Sequence, residues 1–180
     1  MTFTLTANST LLWVWETQFR LQVTNVRGIG SPYPPVGDNW FPAGQVINGN
    51  ITSPSGSWEI AGFVGTGSLA NDVLPSFSIV IDQPTSVDWR WMETGMNNVS
   101  LAINSKHGTP NPAGVMVYTS GAEVTAEVPA FVETGGTRYD CIGWSGSGSV
   151  PIAGNANTVT FDLFEKSVIN WEWDTYYLLT

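Results

Sequence analysis

Three stretches of this chain place large apolar residues at every second position: Leu11-x-Trp13-x-Trp15, Val87-x-Trp89-x-Trp91 and Ile169-x-Trp171-x-Trp173. A period of two sends alternate side chains to one face of an extended strand. Each stretch therefore predicts a β-strand with both indoles on its inner face. Ten and eight residues before the first Trp of each pair stand Phe3 and Leu5, Ile79 and Ile81, or Phe161 and Leu163, with Thr4, Val80 or Asp162 between them. Alternating strand, polar turn, alternating strand predicts a β-hairpin at each of the three places. Elsewhere Gly, Pro and Asn break the chain every ten residues or so, as in Ser31-Pro32-Tyr33-Pro34-Pro35 and Thr109-Pro110-Asn111-Pro112. No apolar stripe of helical period appears. Short strands between frequent breakers predict an all-β protein with little or no helix, built as small sandwiches or barrels. Its structural core is expected at Trp13, Trp15, Trp89, Trp91, Trp144, Trp171 and Trp173, since an indole offers a large apolar area to bury.

The strands come in copies. Ile60-Ala61-Gly62-Phe63-Val64-Gly65-Thr66-Gly67-Ser68-Leu69 aligns without a gap on Cys141-Ile142-Gly143-Trp144-Ser145-Gly146-Ser147-Gly148-Ser149-Val150. Phe19-Arg20-Leu21-Gln22-Val23 matches Val99-Ser100-Leu101-Ala102-Ile103, and Ala43-Gly44-Gln45-Val46 matches Ser120-Gly121-Ala122-Glu123-Val124 more loosely. Trp13 to Trp89 is 76 residues and Trp89 to Trp171 is 82. The expectation is two tandem repeat domains, 18–94 and 95–175. A terminal hairpin of a preceding repeat occupies 1–17, and the start of a further repeat strand occupies 176–180. On that reading the chain is a fragment of a longer repeat protein.

Composition narrows the function. The chain is 42% hydrophobic and 12% charged, with 6 Lys and Arg against 15 Asp and Glu, for a formal charge of -9. So acidic a chain lacks the clustered cations that nucleic acid and anionic membranes require, and no stretch is long and apolar enough to insert in a bilayer. Met1 is not followed by the cationic and apolar run of a signal peptide. Cys141 is the single cysteine, so it forms no internal disulfide, and its alignment with Ile60 marks it as a small core hydrophobe. His107, the single histidine, lies beside Lys106 and Gly108 in a loop without partners for acid–base work. The glycine pairs Gly28-x-Gly30 and Gly65-x-Gly67 precede no helix that would receive a phosphate. No dense Asp/Asn loop suggests calcium. No catalytic residue, metal site or cofactor is expected.

Tyr33, Trp40 and Phe41 fall in a Pro/Gly-rich segment, with Tyr118 as the matching aromatic of the second copy. Flat aromatic faces stack on ligands, so these four are the candidate binding residues, for a glycan or a protein. Asn8, Asn50 and Asn98 each open an Asn-x-Ser/Thr sequon and are candidate N-glycosylation acceptors.

Gly143-Trp144-Ser145-Gly146-Ser147-Gly148, Thr158-Val159-Thr160-Phe161 and Trp171-Glu172-Trp173 together resemble the divergent B-repeat family related to internalin B-repeats. Gly108-Thr109-Pro110-Asn111-Pro112, Tyr118, Gly121, Val124, Pro129 and Gly136-Thr137-Arg138-Tyr139 extend the resemblance. The first copy departs from it, with Phe63 in place of the aromatic Trp144 and no Thr-Arg-Tyr run. The resemblance implies a small β-rich module, sandwich or β-grasp-like, secreted or on a cell surface. It implies a spacer, stalk, filament or adhesive element without catalytic residues. The unpaired hydrophobic hairpin at 1–17 separately predicts partners that are neighbouring repeats or copies of the same chain, joined head to tail by strand addition, with carbohydrate or protein binding through the loop aromatics as the alternative.

Overall fold

The computed structural model describes residues 4, 7, 8, 10–25, 27–52 and 56–178. The described residues form strands and no helix. In the N-terminal half these are β1 (Gln18–Asn25), β2 (Ser31–Tyr33), β3 (Gly37–Pro42), β4 (Val46–Thr52), β5 (Trp58–Thr66), β6 (Ser76–Val80) and β7 (Thr85–Glu93). One layer has the order β3-β1-β7-β5 and the other β2-β4-β6. In the C-terminal half they are β8 (Asn98–Ser105), β9 (Gly114–Thr119), β10 (Ala122–Glu127), β11 (Phe131–Thr134), β12 (Thr137–Ser147), β13 (Ala153–Gly154), β14 (Thr158–Leu163) and β15 (Ser167–Tyr177). Here β11-β12-β15-β8-β9, with β13 beside β12, faces β10-β14.

The two halves pair their strands alike. β1 runs antiparallel to β3 and parallel to β7, with Leu21 opposite Thr85; β8 runs antiparallel to β9 and parallel to β15, with Leu101 opposite Ser167. Both long strands β5 and β12 carry a bulge, at Ile60/Gly62 and Cys141/Gly143. Each half closes around its own core. One holds Leu21, Ile47, Phe63, Ile81 and Trp89; the other holds Leu101, Val124, Phe161, Leu163 and Trp171. Alternation explains the layers: β4 reads exposed-buried along its whole length, as does β14. Trp89 and Trp171 sit at the centres, and burying one indole contributes roughly 4–6 kcal/mol gross, before chain entropy is subtracted.

Two of the three expected hairpins do not form. β6 pairs with β4 and β7 with β1 and β5, so the two strands lie in opposite layers; β14 and β15 are parted in the same way. The polar turn carries the chain over the rim of the sandwich instead of back along one sheet. A side-chain clamp holds that arch. Thr85 Oγ1 donates to Gln83 O and accepts from Ser68 N, and Ser167 Oγ donates to Glu165 O and accepts from Ser149 N. The physical reason is that both strands bring apolar residues, and only opposite layers let them meet across one core.

Trp13 and Trp15 are not core residues. Residues 10–17 are not strand, and Trp13 and Trp15 are 73% and 88% exposed. A Trp strand needs a parallel neighbour and an antiparallel one, and in each half that slot is already filled by β7 or β15. Phe3 and Leu5, the upstream half of that expected hairpin, lie outside the described residues. At the other end Tyr176 and Tyr177 belong to β15, opposite Arg138 and Thr137, while Leu179 and Thr180 lie outside the described residues.

Candidate functional site

The four candidate aromatics divide into two inward and two outward residues. Phe41 pairs with Phe19, and Tyr118 with Val99, each on the inner side of an edge strand against its own core. Burial holds the Tyr118 hydroxyl above its ordinary ionisation range. Trp40, one residue from Phe41, points out beside Arg20 and is 61% exposed; Tyr33, in the opposite layer beside Asn50, is 65% exposed. The structure does not bring the four rings together as one platform.

Trp91 and Trp173 sit where their neighbours can use the indole N–H. Trp91 Nε1 donates to Asn25 Oδ1 at 2.8 Å, and Trp173 Nε1 donates to Ser105 Oγ at 3.0 Å. Asn25 and Ser105 each also donate from the side chain, to the carbonyls of Ile29 and His107. Trp144 is half-buried and meets Trp171 edge-on at 5.9 Å. His107 stacks on Tyr139 with centroids 3.7 Å apart, and Arg27 lies 3.7 Å over the Trp58 ring at the matching place. Both are caps on a sheet aromatic. Cys141 is half-buried in β12 rather than fully buried, because it faces Trp173 near the end of the core; burial pushes its thiol pKa up. Of the sequons, Asn8 and Asn50 are exposed and Asn98 is half-buried at the start of β8.

A second place emerges that the sequence reading missed: the junction of the two sandwiches. β5 of the first half contacts β8 and β9 of the second. Ala61 and Met92 on one side, and Ser100 and Ala102 on the other, are buried although they point away from both cores. Asn71 and Asn104 exchange hydrogen bonds: Asn71 N donates to Asn104 Oδ1, and Asn104 Nδ2 donates to Asn71 O. Asn71 Nδ2 also donates to Ile103 O, and Lys166 Nζ donates to Ile60 O across the junction. A cleft of about 640 Å³ opens there between Ser68–Asn71, Asn104–Lys106 and Glu172. One signal could have exposed this surface. β8 carries Ser100 and Ala102 at the outward positions where β1 carries Arg20 and Gln22, and small residues facing out suggest a covered face.

Among the described residues no three His, Cys, Asp or Glu side chains gather as a metal site, and no helix is long and apolar enough to cross a membrane. The chain matches no family model, no curated protein and no solved structure.

Proposed function

We propose that the chain is a non-catalytic structural module, secreted or held at a cell surface. It works as a stalk, filament or adhesion element in the manner of divergent internalin-type B-repeats. The observation that supports this most is what the two halves have in common. The bulge glycines Gly62 and Gly143, the arch clamps Thr85 and Ser167, and the indole partners Asn25 and Ser105 recur at matching places. Every one of these holds strands together. A duplicated reaction centre would instead repeat a set of convergent acids and bases. Units that dock through buried faces are suited to a quasi-linear stack.

A second reading has its own observation: Tyr33 and Trp40 are largely exposed, and exposed aromatics bind sugars or proteins. A glycan array probed with the full chain and with Trp40→Ala separates the two. The structural reading expects no glycan retained above background by either protein. Retention by the full chain that is lost in Trp40→Ala, at unchanged melting temperature, would replace it with the binding reading.

A further inference from the structure

The internal junction has two sides, and each half carries both of them. The donor side is the outer face of β5 with β7: Ala61, Val64, Met92 and the Asn71 loop. Strand register places Ile142, Ser145 and Asp174 at the first three positions in the second half. In the matching loop Ile152 O accepts from Gly146 N, as Asn71 Oδ1 accepts from Gly65 N in the first. The receiving side is the outer face of β8 with β9: Ser100, Ala102, Asn104 and Val117. Register places Arg20, Gln22, Thr24 and Trp40 there in the first half. Within the chain, one donor side meets one receiving side. Among the described residues, the second half's donor side and the first half's receiving side are left open.

Both open sides carry the marks of an interface. Ala61 is fully buried by the junction, whereas its counterpart Ile142 is 47% exposed and Ile152, in the loop that matches the Asn71 loop, is 86% exposed. On the same outer face β15 carries the exposed carboxylates of Glu172 and Asp174, and β12 carries the half-buried Asp140, which Arg138 Nε meets at 2.6 Å. The opposite open side presents the exposed Trp40 next to the guanidinium of Arg20, whose contact with Asp38 is a long 3.5 Å and solvent-exposed. An apolar pair on a face with the carboxylates of Glu172 and Asp174, and an indole beside an arginine on the other side, are complementary in apolar character and in sign.

We infer that copies of this chain dock head to tail by repeating the internal junction, with Ile142 and Ile152 of one copy against Trp40 and Arg20 of the next. The occupant of each open side is thus a second copy of the chain. Because the two sides differ, the contact is heterologous and does not close after two copies; it propagates as a filament. The inference rests on the structural reading above and deepens it by naming the partner and the surface. It differs from strand addition, since it joins sheet faces and needs no free strand edge.

The test uses the full chain and two surface variants, a tail variant Ile142→Asp/Ile152→Asp and a head variant Arg20→Glu/Trp40→Asp, followed by sedimentation velocity across a wide concentration range. The unmodified chain is expected to pass beyond dimer as concentration rises, and to do so less in high salt. Each variant alone is expected to stay monomeric, with association weakened at least tenfold. The two mixed are expected to stop at a dimer, because each keeps one intact side. Unchanged circular dichroism and melting temperature verify folding, and Ile152→Asp alone, at the more exposed position, serves if the double tail variant does not fold. A monomeric unmodified chain at the highest concentration, or a tail variant that associates as the unmodified chain does, overturns the inference. Either result leaves the structural reading to the glycan experiment, which does not depend on association.

Discussion

Single residues in this molecule are constrained most where backbone approaches backbone. At Gly143 φ is +136°, and a Cβ there would stand 1.9 Å from Gly154 O; at Gly62 φ is +138°, and a Cβ would stand 2.1 Å from Asp72 O. Neither carbonyl can yield, because each belongs to the segment that closes the sandwich over the bulge. Gly143→Ala is therefore expected to cost about 2–4 kcal/mol, combining a left-handed backbone with a steric clash. Gly135 also has positive φ but nothing within 4 Å, so Gly135→Ala is expected to cost about 1 kcal/mol, the conformational part alone. Urea denaturation of the two variants measures the difference, and equal losses would show that the close approach is not what fixes glycine at the bulge. The core indoles obey a different constraint. Trp89 Nε1 and Trp171 Nε1 are buried without a hydrogen-bond partner, and each ring meets an aromatic edge-on, at Phe63 and Trp144. The edge of one ring against the face of the other is the favourable arrangement for such pairs.

Strands translate these local constraints into chemistry at β12, where Cys141 lies opposite Trp173. Burial disfavours the thiolate and pushes the thiol pKa up, opposed by a weaker backbone hydrogen bond with Gly143. The folded chain thus holds this proton more tightly than the unfolded chain does. Its contribution to stability is complete below the ordinary thiol range and is lost as pH climbs through it, above about pH 8.5. Native protein at pH 8 is expected to react with a disulfide reagent at least tenfold more slowly than urea-unfolded protein. Labelling at the same rate in both would show an open thiol. The alignment of Cys141 with Ile60 foretold a position in a strand beside the core, and strand character was legible throughout from period-two alternation. The layer of each strand was not. Phe77–Ile81 and Val87–Trp91 alternate identically whether they hairpin or arch, because periodicity fixes which residues face inward but not which sheet they face from. Trp13 and Trp15 misled for a related reason. A pattern suited to burial describes what a strand can cover, and here β7 and β15 already occupy the two places where such a strand fits. Trp40 was singled out on composition, but its outward direction follows only from its register opposite Arg20.

For the molecule as a whole, the decisive question is how two separate cores share one fold. β7 ends at Glu93 and β8 begins at Asn98, so the two sandwiches are joined by a short turn, with Gly95 and Asn97 at positive φ. A connection this short keeps the β5 face close to β8 and β9, and lowers the entropy cost of docking them. The docked face is sealed by Ala61, Met92, Ser100 and Ala102, and its polar centre is the Asn71–Asn104 exchange, with Asn104 Nδ2 also reaching Asn170 Oδ1. Cutting Asn104 to Ala leaves the Asn71 backbone N–H and C=O without these partners in a half-buried site, a loss of about 2–4 kcal/mol when the two unmet groups are counted. That loss falls on the junction and on neither core. The expected outcome in calorimetry is therefore specific. The unmodified chain melts in one cooperative transition, with calorimetric and van't Hoff enthalpies equal. Asn104→Ala broadens it into two, with a calorimetric enthalpy exceeding the van't Hoff value, because each sandwich then unfolds on its own core. Lys166→Ala, which removes the other cross-junction tether to Ile60 O, should act in the same direction and more weakly, since its side chain lies nearer solvent. A single, merely lowered transition in both variants would mean that the halves are coupled through the Thr94–Asn97 turn rather than through the docked faces. The same face could then not be expected to hold separate copies together.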